Sequence, residues 1–310
     1  MNSTGPGTNA GPSRTTISTS AGAATQDATK GAVDATRKPA RYRVRFGRLW
    51  VDALAFDEAI DAVRTLVARG TGGAIFTPNV DHVVMADEHR GLRRAYRRAD
   101  LAFADGMPLV WTSRMLGMRI PEKLSGSDMI IPIVELAARE DWAVYLLGGM
   151  PGEPGAAELA AQRLSARFGV RIVGVDPAFV SMDGKGAEDA AVLARVKAAR
   201  PDIVFVALGA PKQELWISRS LDEIHPAVAI GCGASLDFIS GQLSRAPQWV
   251  SNAGFEWAYR LAQDPARLWK RYLLRGPRFL GILFRTSRML KVQRVRQVTG
   301  GLPSVPQDQE

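Results

Sequence analysis

The chain has 310 residues, 46% of them hydrophobic and 23% charged, an ordinary globular balance with material for one large domain and its appendages. A single cysteine, Cys232, excludes an internal disulfide and a cysteine-rich zinc cluster, and it fits a reducing, cytosolic setting. The net charge of +9 is unevenly placed: from Glu256 to Arg296 there are eleven basic residues against two acids, so this segment carries the whole excess and the remainder is neutral. Such a tail implies an anionic partner, whether phospholipid, nucleic acid or a phosphate-bearing substrate.

Residues 1–40 are rich in Gly, Ala, Ser and Thr with almost no large apolar side chains, so a disordered N-terminal tail without a signal peptide is expected. No run of about twenty apolar residues occurs, which excludes a spanning helix. A core over 41–250 follows. Its candidate strands are 74–77, 101–104, 144–148, 171–175, 203–208 and 228–231, alternating with helical patterns at 56–69, 80–97, 126–139, 155–168 and 188–200. Strands this apolar are buried on both faces, and the alternation predicts an α/β fold, a Rossmann-like, mainly parallel sheet with helices on both sides. Ligands of such sheets sit at the carboxyl ends of the strands. After Ala246-Pro247 the strand pattern stops. A basic, amphipathic helical appendage is expected over 251–298, with a helix at about 265–275, a stop at Gly276-Pro277 and a second helix at about 278–295, then a disordered end at 299–310. Leucines and aromatics interleaved with its arginines suit an interfacial membrane helix better than a solvated one.

Four polar clusters follow the strands. In Thr77-Pro78-Asn79-Val80-Asp81-His82, Thr77 and Asn79 offer a hydroxyl and an amide where a helix begins, although N-capping alone would explain Asn79. In Ala104-Asp105-Gly106, a carboxylate at a strand end is placed either to accept a proton or to cap the next helix. Gly148-Gly149-Met150-Pro151-Gly152 is a glycine-rich turn that fails the G-x-G-x-x-G spacing. Gly209 to Glu214 and Gly231 to Phe238 together could wall a nucleotide pocket, with Gln213 and Asp237 reading ribose hydroxyls or a base edge. There is no Asp-x-Asp diphosphate clamp, and no G-x-S-x-G elbow. His82 and His89 fall two turns apart on an expected surface helix, and no metal site and no cofactor are expected.

The stretches TPNVDH, ADGMPLVW, LSGSD, VYLLGG, FVALGAPKQE, GCGASLDFISG, SRAPQWV and EWAYRLAQDPARLWKRYL occur in this order over about residues 45–275. Together they resemble the bacterial glycosyltransferase family typified by the teichoic acid linkage-unit N-acetylmannosaminyltransferase and the enterobacterial common antigen N-acetylmannosaminuronyltransferase. The resemblance implies an inverting, metal-independent transfer from a UDP-sugar to a saccharide on a polyprenyl diphosphate, in cell-surface polysaccharide biosynthesis. It makes Asp105 the candidate base, sets Thr77 and Asn79 at the reaction centre, and gives the uridine to Gln213 and Asp237, with Gly148 and Gly209 in the donor-binding turns. Arg260, Arg267 and Arg271 match the family's closing appendage. Around Asp176-Pro177-Ala178-Phe179 many members read closer to H-G-Y-F, so Phe179 is carried over as a uracil-stacking residue on a weaker match. Without a metal clamp, cations of the arginine-rich tail would stabilise the leaving diphosphate. The implied setting is the cytoplasmic face of the plasma membrane, with an anionic leaflet and no nucleic acid as partner; oligomeric state, donor sugar and acceptor stay open. The alternative is an NAD(P)-dependent oxidoreductase on the same type of sheet, against which the broken glycine fingerprint counts.

Overall fold

The computed structural model describes residues 42–177, 179–252, 254–263, 265–266 and 275–298. The tails expected to be disordered, at 1–40 and 299–310, and most of the helix expected at 265–275 lie outside the described residues. A hairpin of β1 (Arg43–Phe46) and β2 (Leu49–Asp52) comes first. Gly47 opens its two-residue turn at φ +58°, a backbone region that L side chains rarely adopt and that the tight primed turns of hairpins require. Arg43 closes the other end of the ladder on Asp52 (2.7 Å), whose second oxygen accepts the Ala102 N–H (2.8 Å) and so ties the hairpin to the main sheet.

That sheet has six strands, all parallel: β3 (Gly73–Phe76), β4 (Leu101–Ala102), β5 (Ala143–Gly148), β6 (Arg171–Asp176), β7 (Ile203–Ala207) and β8 (Val228–Gly231). Their spatial order is β4-β3-β8-β7-β5-β6. The α/β expectation holds, with strand bounds shifted by two residues at most. Alternate residues serve two cores: Val144, Leu146, Ile203 and Phe205 pack on one face, and Tyr145, Leu147, Val204 and Val206 on the other. This is the period-2 geometry of a strand covered on both sides. β8 enters between β3 and β7, so the chain reverses direction there and opens a crevice at the carboxyl edge.

The helices are α1 (Phe56–Ala68), α2 (Val80–Glu88), α3 (Arg90–Arg98), α4 (Met107–Met115), α5 (Gly126–Arg139), α6 (Ala156–Phe168), α7 (Asp189–Ala199), α8 (Lys212–Ser220), α9 (Ser235–Ser240), α10 (Gln248–Asn252), α11 (Glu256–Gln263) and α12 (Arg275–Val298). Two sequence expectations change. The single helix read at 80–97 is broken at His89, which ends α2 and caps α3, its Nδ1 accepting the Leu92 N–H (3.0 Å). The second helix, expected at about 278–295, runs over Arg275–Val298 and so takes in Gly276-Pro277, near its start, where a missing proline N–H costs little. Phe279 and Ile282 of α12 are buried in the same core as the hairpin and α2, and Thr286 accepts the Gly47 N–H at 3.0 Å. This last helix is therefore part of the folded body, with Leu280 and Phe284 on its outer face.

Candidate functional site

All six parallel strands end on one cleft of about 900 Å³. β3 delivers Thr77 and Asn79, and β4 delivers Asp105. β5 leads to Gly149, β6 to Phe179, β7 to Gly209 and Gln213, and β8 to Ser235 and Asp237. Asp105 and Asn79 are brought together by the backbone, because the Asp105 N–H donates to the Pro78 carbonyl at 2.8 Å. Asn79 is also the cap of α2, its Oδ1 accepting the Asp81 N–H at 3.0 Å and the His82 N–H at 3.4 Å. Capping and cleft lining are thus one placement, with the side chain fixed by the first and its Nδ2 without a partner among the described residues. Thr77 is nearly buried and donates to the Gly231 carbonyl (3.3 Å), which joins β3 to β8 at the crevice.

On the opposite wall, Asp237 accepts the Met150 N–H (2.7 Å) and so fastens the glycine-rich turn after β5. Gly148 itself does not line the cleft. It sits at φ +94° behind the wall, where a Cβ would come within 2.7 Å of the Ala207 carbonyl, and Gly149 takes the lining position. Gln213 is almost wholly buried; its Oε1 accepts the Gly233 N–H (3.1 Å) and its Nε2 donates to Glu214 (2.8 Å). Phe179 stands 79% exposed at the rim, with the Lys212 ammonium 3.8 Å above its ring. Lys212 has no carboxylate partner among the described residues.

Electrostatics favour an anion in the cleft. The first turns of α2, α5 and α8 all contribute to its lining, and each brings the positive end of a helix dipole to it. Arg245, by contrast, pairs with Asp128 and stays out of the lining. Arg260 lies in α11, and Arg267 and Arg271 lie outside the described residues. The Cys232 thiol is inert: burial, and then the charge of Asp237, push it well above its usual range.

Three residues given no individual role from the sequence form a buried cluster at the cleft, of which His82 reaches the lining and Glu214 and Tyr96 lie behind it. His82, expected on a surface helix, is buried, its Nε2 3.2 Å from Glu214 Oε1. Glu214 is fully buried. Tyr96 of α3 packs edge-on against His82, and its phenol is pushed well up by burial, then by the charges of Glu214 and Asp105. The only signal for Glu214 was a charged residue amid Trp216 and Ile217. Among the described residues no three His, Cys, Asp or Glu side chains group as metal ligands.

A doubly wound parallel sheet that pools hydroxyls, amides, the carboxylates Asp81, Asp105 and Asp237, the Lys212 ammonium and several helix N-termini into a single cleft defines an α/β protein suited to a polar, hydroxyl-rich ligand. The chain belongs to the glycosyl transferase WecG/TagA/CpsF family, whose model matches residues 44–293. It is thus a glycosyltransferase of the kind that serves cell-surface polysaccharide synthesis. The oxidoreductase alternative falls with that membership.

Proposed function

We propose that this enzyme moves a sugar from a UDP-sugar to a saccharide carried on a polyprenyl diphosphate, with inversion and without a metal, at the inner face of the plasma membrane. The observation that carries the reading is the division of the cleft. Asp105 and Asn79 stand together on the β3–β4 side, and Gln213, Asp237 and Phe179 stand on the side of β6, β7 and β8. In this reading the donor lies along the second wall, with uracil against Phe179 and ribose near Gln213 and Asp237. The acceptor hydroxyl enters beside Asp105, which takes its proton as the oxygen attacks the anomeric carbon. UDP leaves from the opposite face, which gives inversion. Its developing charge falls on helix N-termini and on Lys212, preorganised groups that can stand in for a metal.

Acceptor delivery from a bilayer is supported by the outer face of α12, where Leu280 and Phe284 are exposed and Arg288 lies 5.9 Å from the Phe284 ring. No helix among the described residues is long and apolar enough to cross a membrane. Thermal shift tests the donor reading: UDP and UDP-sugars should raise the melting temperature and NAD should not. A shift with NAD alone would remove it.

A further inference from the structure

The floor of the cleft holds a polar chain that the transfer chemistry does not itself require. It starts at the Gly233 N–H after β8, which donates to Gln213 Oε1 (3.1 Å). Gln213 Nε2 donates to Glu214 Oε1 (2.8 Å), and the same oxygen lies 3.2 Å from His82 Nε2. The other ring nitrogen of His82 meets Asn79, 3.3 Å from its backbone N and 2.9 Å from its Oδ1. One unbroken line of contacts therefore runs from the wall assigned to the donor to the residue beside the candidate base. Both nitrogens of His82 are engaged within this line.

Glu214 is the centre of this line, and it is an expensive choice. A carboxylate wholly removed from water is costly unless its hydrogen bonds compensate, and an apolar side chain would fill the same space beside Trp216 and Ile217 more cheaply. Its Oε2 has no hydrogen-bond partner among the described residues, so the group is not arranged for greatest stability. What the carboxylate does supply is one strong acceptor shared by two side chains from different elements, α2 and α8, which fixes both relative to each other.

We propose that Glu214 is a positioning residue that holds Gln213 and, through His82, Asn79 in a single geometry, so that donor recognition and the reacting centre share one frame. This rests on the donor and acceptor walls proposed above. Glu214→Gln keeps the shape but replaces the shared charged acceptor by an amide. Since hydrogen bonds to charged groups contribute about 1.5–3 kcal/mol, affinity for UDP should fall roughly tenfold or more, and kcat should fall as well. The discriminating measurement is a double-mutant cycle with Gln213→Ala, read as UDP affinity by calorimetry and as kcat and donor KM on the folded fraction. In the Gln213→Ala background, Glu214→Gln should change UDP affinity by less than about twofold, because no side chain remains to position, while still lowering kcat through His82 and Asn79. Losses in UDP affinity that multiply in full would overturn the proposal. So would a Glu214→Gln enzyme with a lower melting temperature but ordinary affinity and turnover. If Glu214→Gln does not fold, His82→Gln tests the other half: kcat should fall with UDP affinity held, and equal losses in both, or in neither, contradict the coupling. Wild-type protein that binds no UDP would refute the donor reading itself, and the proposal with it, a result distinct from the others.

Discussion

Asp105 enters the cleft from the end of β4, pinned by its backbone beside Asn79, and within electrostatic reach of the buried Tyr96 phenol. A positioned base is worth roughly 10²–10⁴ in rate, so Asp105→Asn should lose that much in single-turnover rate while UDP affinity stays near wild type. Near-wild-type turnover would take Asp105 out of the mechanism. Lys212 makes the complementary case. Its ammonium stands over Phe179 without a carboxylate partner among the described residues, so Lys212→Met should lower kcat/KM by about 10-fold to 100-fold, the range of a charge-assisted hydrogen bond to phosphate. An unchanged kcat/KM would leave the helix N-termini as the whole of the diphosphate site. Asp105 was visible in the sequence because it follows an apolar strand directly, where the fold class itself says that ligands bind, and Lys212 lay within the stretch expected to wall a nucleotide pocket. The contact between Glu214 and His82 was not visible. They are 132 positions apart, and a helical residue next to a strand end reads as surface until the packing of α3 over α2 and α8 is known.

At the scale of elements, the loop before α5 is fastened to the C-terminal part of the chain by a charged knot. Lys123 reaches Asp128 (2.7 Å) and the Ser251 hydroxyl (3.2 Å), Ser125 donates to Asp128 (2.6 Å), and Arg245 pairs with Asp128 from the other side. Burial pushes the Asp128 carboxyl up, but the hydrogen bond and charge of Lys123, the Ser125 hydroxyl and the charge of Arg245 together outweigh it and hold the group below the usual carboxylate range. A depressed folded-state pKa means that the stabilisation is complete above the unfolded carboxylate pKa, about 3.9, and is lost as pH falls through the depressed value. Asp128→Asn should therefore cost about 2 kcal/mol at pH 7 and progressively less below pH 4, measured by chemical denaturation across that range. A penalty independent of pH would show that packing, not charge, holds the loop. The strands and the helices at 56–69, 126–139, 155–168 and 188–200 were legible from periodicity alone. The break at His89 was not, because it is made by a side chain capping the following helix. The start of α12 was placed three residues late because Gly-Pro serves a first turn as readily as it ends a helix.

For the whole molecule, the charge excess of the tail is not simply free charge. Arg278 pairs with Glu88 and Arg285 with Asp87, so part of α12's charge is cancelled against α2. Exposed pairs of this kind add little stability; what matters is the charge they remove from the surface. The core, neutral by count, is not neutral in space. Arg90, Arg94 and Arg97 lie along α3 without carboxylate partners among the described residues, and burial together with the charges of Arg48, Arg90 and Arg97 holds the Arg93 guanidinium below its ordinary value. Sequence totals imply an anionic partner but not the face that would meet it, because pairing across elements redistributes the field. Deleting the tail would also uncover Phe279 and Ile282, so docking is better tested by Leu280→Glu with Phe284→Glu on the exposed face. That pair should abolish sedimentation with anionic liposomes and leave the melting temperature unchanged. Undiminished sedimentation would move the docking face elsewhere, with the α3 arginines as the next surface to alter.

The central claim is a metal-free transfer from a UDP-sugar to a lipid-linked acceptor, and one assay meets it directly. Radiolabelled UDP-sugars are incubated with the enzyme and a polyprenyl-diphosphate-linked saccharide, with and without EDTA, and the linkage of the labelled product is determined. Label from one UDP-sugar should appear in the lipid fraction, with the anomeric configuration inverted and the yield unaffected by EDTA. Retention of configuration, or a loss under EDTA that magnesium restores, would contradict it.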